Sequence, residues 1–292
     1  MQSDTAPTFT LSSFRSVVHA SILACGLALL PQAGGALLVY EGFDYTTGTN
    51  IAGQSGGEGV WGEAWRSTDG GIPTAQSPGL DYESLPVVGN RAELTSNGSN
   101  SIFRGFTENT VIGGAEGEIW VSFIGRVDAS TGVGYIGFYR GGDTSGFRSF
   151  LLGSFSGSNH FWGALADSPS GGKVEATEVG GQTQVFLVAR FDYTTSGQLD
   201  AIDLWLDPVL GSASALGSPL ASIGSADLGT KDYSFDRIRL FGTQNSGTQL
   251  DEFRVGTTFE SVAIPEPAAI AVIFGCGALL FCLYRRRRPA SA

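Results

Sequence analysis

The residues able to do chemistry in this chain of 292 residues are few. Carboxylates come closest to a pattern, at Asp200, Asp203 and Asp207 and in the adjacent pair Asp251-Glu252. In a regular strand Asp200 and Asp203 face opposite ways, and Asp203 and Asp207 share a side about 13 Å apart. Asp251 and Glu252, as neighbours, point apart. These groups are therefore expected on solvent faces and in turns. A Ser-His-Asp site would have to use His160, since His19 lies in the N-terminal segment. A histidine between Asn159 and Phe161 reads as a packed or surface residue, and an imidazole metal site usually needs more than one. Oxygen-donor calcium coordination stays open, with Asp192, Asp200 and Asp251 as candidate donors. The strings Gly56-Gly57 and Gly141-Gly142 lack the lysine-serine/threonine pair of a phosphate loop and read as turns. Of the five tryptophans, Trp61, Trp65 and Trp162 are candidates for stacking on sugar rings; filling a core is the ordinary alternative.

Both ends read as addresses. Residues 1–36 have a polar start with Arg15, an apolar run from Val17 to Leu30, then Pro31 and small residues, the pattern of a secretory signal peptide. At the other end, Ala268 to Tyr284 is an uncharged, mostly apolar stretch at the short limit of a transmembrane helix. Arg285, Arg286, Arg287 and Arg288 follow at once and would stay cytoplasmic, which puts the body outside. Pro265-Glu266-Pro267 stands just before the span. The order Pro-Glu-Pro, short span, arginine cluster resembles the PEP-CTERM sorting signal of bacteria, here over residues 264–288. That resemblance implies an exosortase as partner, export through the secretory translocon and transient anchoring in the inner membrane. It also implies release to the cell surface or extracellular matrix. The alternative is a tail anchor with a proline-stiffened stalk.

The body between these ends must position whatever chemistry there is. All three cysteines, Cys25, Cys276 and Cys282, lie outside it, so it has no disulfide and no thiolate site. Setting the ends aside removes Asp4 and Glu266 from 28 acidic residues, and Arg15 and the four terminal arginines from 17 basic ones. The remainder carries about −14, which disfavours nucleic acid and anionic lipid as partners. Glycine is abundant, at 43 residues, and makes a helical bundle improbable. Eleven strands are predicted, at 37–40, 86–94, 101–106, 118–127, 135–140, 150–155, 160–165, 184–193, 199–206, 235–241 and 250–255. The fold class is therefore all-β, an antiparallel sandwich or barrel. The stretch 46–85 reads as a long loop held by Trp61 and Trp65, and 256–263 as a linker.

Several strings in the body look familiar together: Val39-Tyr40-Glu41-Gly42-Phe43-Asp44-Tyr45, Trp61-Gly62-Glu63-Ala64-Trp65, Leu204-Trp205-Leu206-Asp207-Pro208 and Leu250-Asp251-Glu252-Phe253-Arg254-Val255. They resemble the concanavalin A-like (laminin-G-like) jelly-roll modules of exported PEP-CTERM proteins. The resemblance implies a β-sandwich over 37–255 with first and last strands adjacent, Tyr40 and Phe253 in one core, and polysaccharide as a ligand. It leaves activity open, because lectins and glycoside hydrolases share the fold. The Glu-x-Asp-x-x-Glu string of the glucanase branch is absent. The expectation is a non-enzymatic surface or matrix protein without cofactors. The rivals are a glycoside hydrolase or lyase with an unusual site, and a structural component with no ligand.

Overall fold

The computed structural model describes residues 35–263, except 68–70, 84, 86, 88, 95–99, 129–132, 142–146, 156–160, 167–172, 181–182, 196 and 244–246. The expected signal peptide up to residue 34, the Pro-Glu-Pro motif, the expected span, the arginine cluster and His160 lie outside the described residues. Among the described residues no helix is long and apolar enough to cross a membrane.

The strands are β1 (Leu37–Glu41), β2 (Glu58–Gly59), β3 (Arg66–Ser67), β4 (Thr74–Gln76), β5 (Arg91–Leu94), β6 (Asn100–Gly105), β7 (Gly117–Val127) and β8 (Gly134–Arg140). After them come β9 (Phe147–Ser154), β10 (Phe161–Ala166), β11 (Lys173–Gly180), β12 (Val185–Thr195), β13 (Gln198–Leu206), β14 (Ala221–Gly224), β15 (Arg237–Gly242) and β16 (Thr248–Gly256). They form two antiparallel sheets. One runs β14-β13-β12-β7-β16-β1-β2, with β5 also on β16 and β4 on β5. The other runs β11-β10-β9-β8-β15-β6-β3. The first and last strands pair, Tyr40 opposite Arg254 and Glu41 opposite Phe253, as the resemblance implied.

Aromatic rings weld the inner faces together. Phe150 of one sheet stacks on Phe191 of the other at 4.1 Å between centroids, and Phe138 meets both Phe191 and Phe253. Strand β15 shows the expected alternation, with Ile238 and Leu240 buried between half-buried Arg237 and Arg239. Strands β7 and β12 depart from it because both their faces are covered. On the outer face a second apolar cluster joins Trp120, Ile124, Phe186, Val188 and Trp205 to Leu80 and Leu85 of the long connection and to Phe259, Val262 and Ala263. These last three belong to a short helix, Phe259–Ala263. The segment expected as a linker is thus folded onto the body: Ser122 Oγ donates to the Val262 carbonyl at 2.6 Å. Tyr40 is also placed differently from expectation. Neighbouring strand residues face opposite ways, so the inward side chains of β1 are those of Val39 and Glu41, while the Tyr40 hydroxyl donates to Glu252.

Glu41 is one of several buried polar residues, and it lies between the two sheets. Its carboxylate pairs with Arg104 of the opposite sheet at 2.6 Å, and both side chains are at most 3% exposed. It also accepts from the Phe43 backbone N–H, the Tyr45 hydroxyl and the Trp65 indole N–H. The Arg104 guanidinium lies 4.3 Å from the Trp61 ring centroid and donates through Nε to the Glu63 carbonyl. Burial pushes the Glu41 carboxyl up and the Arg104 guanidinium down from their ordinary values, so desolvation outweighs their mutual attraction. The pair therefore specifies arrangement more than it adds stability. Removing one partner strands the other. Glu41→Ala should cost about 3–5 kcal/mol in urea unfolding, and adding Arg104→Met to it should recover part of that loss. A double variant less stable than Glu41→Ala would contradict this account.

Candidate polysaccharide-binding cleft

The ends of β3, β6, β8 and β15 meet at one edge of the seven-stranded sheet, since Arg237 pairs with both Gly105 and Tyr139. An open cleft of about 560 Å³ lies there, lined by Glu63, Arg66, Glu108, Asn109, Arg140, Asp236, Arg237 and residues 105–107. Apart from the exposed Glu108, its ionic groups are ordered in pairs. Glu63 accepts from Arg66 Nη2 at 2.8 Å and from the Gly105 N–H. Asp236 accepts from Arg237 Nε at 2.8 Å and from the Gly141 N–H. Arg140 pairs with Asp232 and donates to Ser234. The rim is the turn Thr107–Thr110, closed by a Thr110 N–H to Thr107 carbonyl bond and a contact between the two hydroxyls at 2.7 Å. Asn109 takes φ 65° in this turn, a conformation its short amide side chain tolerates.

The loop continues into a second, apolar groove of about 440 Å³ between β1, Val60 and the start of β7. Its walls include Leu38, Val60, Val111 and Ile119, and Thr110 and Val111 line both depressions. Gly113 is required here. Its φ is +77°, and a Cβ would stand 2.3 Å from the Tyr193 ring.

The residues singled out from the sequence are not gathered at this cleft. Trp65 and Trp162 are buried and offer no face to a sugar. The Trp162 ring sits where a Cβ on Gly125 would come within 2.5 Å, and Trp65 caps the Glu41 pair. Trp61 is half-buried among Trp65, Phe106 and Phe253. Trp61 forms a bridge with Phe106, which lines the cleft, so it supports the cleft floor from behind. The candidate calcium donors are dispersed. Asp192 is half-buried on β12, Asp200 is exposed on β13, and Asp251 is buried on β16. Asp192 stands opposite Glu118 of β7 and Asp251 opposite Ile124, about 20 Å further along that strand. Among the described residues no three His, Cys, Asp or Glu side chains are grouped as a metal site needs.

The Asp251-Glu252 pair also differs from expectation, being buried instead of solvent-facing. Between Asp251 and Arg254, β16 takes three steps against two on β7, and Glu252 adopts φ 51°. This bulge lies where β16 passes from pairing with β5 to pairing with β1. It turns Glu252 to Tyr40 and Arg254, and Asp251 to the Leu80 N–H at 2.7 Å. Asp203 is buried as well, held by Arg190 and Ser222. The residues that do line the cleft were missed because four separate elements supply them. The hints were Glu63 and Arg66 beside the tryptophans, and the charged face of β15.

No family model matches the sequence, and no curated protein matches it. Among solved structures, the globular domain of T. cruzi calreticulin superposes with a TM-score of 0.52 at 13% identity, covering 86% of this chain and 100% of that one. Domain 4 of the extracellular arabinanase AbnA from Geobacillus stearothermophilus, in complex with arabinotriose, has a TM-score of 0.42 at 13% identity over 77% of this chain and 93% of that one. The xylan-binding domain CBM22-1 of Paenibacillus barcinonensis Xyn10C has a TM-score of 0.35 at 10% identity over 78% and 98%. The likeness to the calreticulin domain shows an antiparallel β-sandwich, and the fold alone; the two looser superpositions carry no argument.

Asp251 supplies a pH test of this arrangement. Burial pushes its carboxyl up to about 8, against two backbone N–H donors that favour the charged form. A raised folded-state value means that the unfolded chain releases the proton first, so stability declines as pH rises from about 4 to about 8. Burial also raises Glu41 and Asp207, which adds to that slope. Glu260, held low by the Ala213 N–H, opposes it only in acid. The melting temperature should therefore fall between pH 5 and pH 9, and Asp251→Asn should flatten the fall. An equal slope in the variant would remove Asp251 as its source.

Proposed function

We propose that the protein is an exported, exosortase-sorted cell-surface or matrix component. Its concanavalin A-like jelly-roll body binds a neutral polysaccharide in the cleft at the sheet edge without cleaving it. The observation that carries this reading is the lining of that cleft: apart from exposed Glu108, its carboxylates and guanidinium groups are already matched in pairs. A sugar hydroxyl is both donor and acceptor, so it can bridge such a pair without displacing either member. An anionic ligand would have to break an ion pair, because each guanidinium of the lining already holds a carboxylate. It would also meet a body carrying about −14. Pairing holds the side chains in place before binding, which lowers the ordering cost of association. The carboxylates accept from guanidinium and backbone N–H groups, an arrangement suited to holding hydroxyls, not to passing a proton to a leaving group.

Replacing Arg66 or Arg237 by alanine should weaken binding to a neutral polysaccharide about tenfold, the equivalent of one or two hydrogen bonds. Affinity electrophoresis in polysaccharide-loaded gels measures this, with melting temperature as the folding control. Reducing sugar released from the same polymers would overturn the non-catalytic reading and favour the hydrolase or lyase.

Support for the sorting half comes from residues 264–288. Proline disfavours helix at itself and at the residue before it, so the sequence Pro265-Glu266-Pro267 suits a transpeptidase cleft that takes an extended substrate. The arginines resist transfer, at about 3 kcal/mol each near the bilayer centre. Glu266→Ala should leave the protein exported, uncleaved and membrane-bound. The readout is the mass of the protein in surface and membrane fractions of its host. Wild-type protein that keeps residues 268–292 beside an active exosortase would make the motif a stalk only.

A further inference from the structure

We infer that the polysaccharide bound in the cleft is O-acylated, and that its ester acyl group occupies the adjoining apolar groove. The inference rests on the polysaccharide reading and names the substrate class more narrowly. The two depressions differ in chemistry yet share Thr110 and Val111. The two therefore adjoin at these residues. One sugar unit can thus lay its hydroxyl edge against the paired charges and hang a substituent into the groove. The groove is walled mainly by Leu38, Val60, Val111 and Ile119, with hydroxyls at Thr110 and Thr257, so it suits an apolar substituent better than a bare hydroxyl. Exposed Glu116 and Glu118 also line it, Glu118 being paired with Arg190, and no lysine or arginine does, so a uronate or another acidic substituent finds no cationic partner there. A volume of about 440 Å³ is far more than the bare methyl of a deoxy sugar fills. An uncharged ester with a short acyl chain meets all three conditions. Its burial removes apolar surface from water.

The test uses the full-length protein with acetylated xylan and acetylated glucomannan, each also after alkaline deacetylation, in binding titrations. Acetylated polymer should bind at least tenfold more tightly than its deacetylated form. Val60→Asp, in a residue that lines the groove and not the cleft, should abolish that preference while leaving the affinity for deacetylated polymer within twofold; Val60→Ser is the milder substitution if the aspartate variant unfolds. Arg237→Ala should weaken both forms alike and keep the preference. Equal binding of the two forms, or a preference that survives both changes at Val60, overturns the inference and leaves the polysaccharide reading standing. Binding to none of the four polymers overturns both.

Discussion

The ion pair between Glu41 and Arg104 ties together parts of the molecule that the sheets alone would leave independent. Glu41 sits on the first strand and Arg104 on the opposite sheet. Through Tyr45 and Trp65 the carboxylate ties the start of a long, strand-poor connection to its middle. Through Glu63 the guanidinium reaches the floor of the cleft. A buried pair of this kind is a costly way to gain stability. Its contribution is positional: four hydrogen-bonding groups around one carboxylate and one guanidinium admit few other arrangements. Trp61 and Trp65, lying over Arg104, exclude water from the pair.

How much of this was legible in the sequence depended on what each element owes to itself. Strands β7, β12 and β13 were found within a residue or two, because long runs rich in β-branched and aromatic side chains carry their own signal. Strands β2, β3 and β4 have two or three residues each and are extended only because a neighbour pairs with them. Strand β11 was missed for another reason: Lys173-Val174-Glu175-Ala176-Thr177-Glu178 alternates without enough apolar weight to be noticed. Strand β5 was expected to begin at residue 86 and begins at Arg91. The helix 259–263 had a visible apolar spacing in Phe259, Val262 and Ala263, but five residues are too few to separate from a linker.

The candidate site was less legible than the fold. Tryptophans drew attention as sugar platforms, and Trp65 and Trp162 turned out to fill the interior. Asp251 and Glu252 were read on the rule that adjacent strand residues face apart. One residue of bulge cancels that rule and buries both. Nothing in a linear sequence announces where an extra residue will be absorbed. The cleft was hidden for a different reason. Glu63, Arg66, Arg140, Asp236 and Arg237 are ordinary surface charges one by one, and only the register of four strand ends makes them a set.

The central claim is that a neutral polysaccharide meets the protein at this sheet edge and not on a broad sheet face. Mapping backbone amide shifts by nuclear magnetic resonance during titration with a neutral oligosaccharide tests it most directly. The account predicts perturbations confined to residues 62–66, 105–111, 140–141 and 236–237, with those of β9 and β10 unchanged. Shifts centred on the sheet faces, or none at concentrations that saturate binding to the polymer, would contradict it.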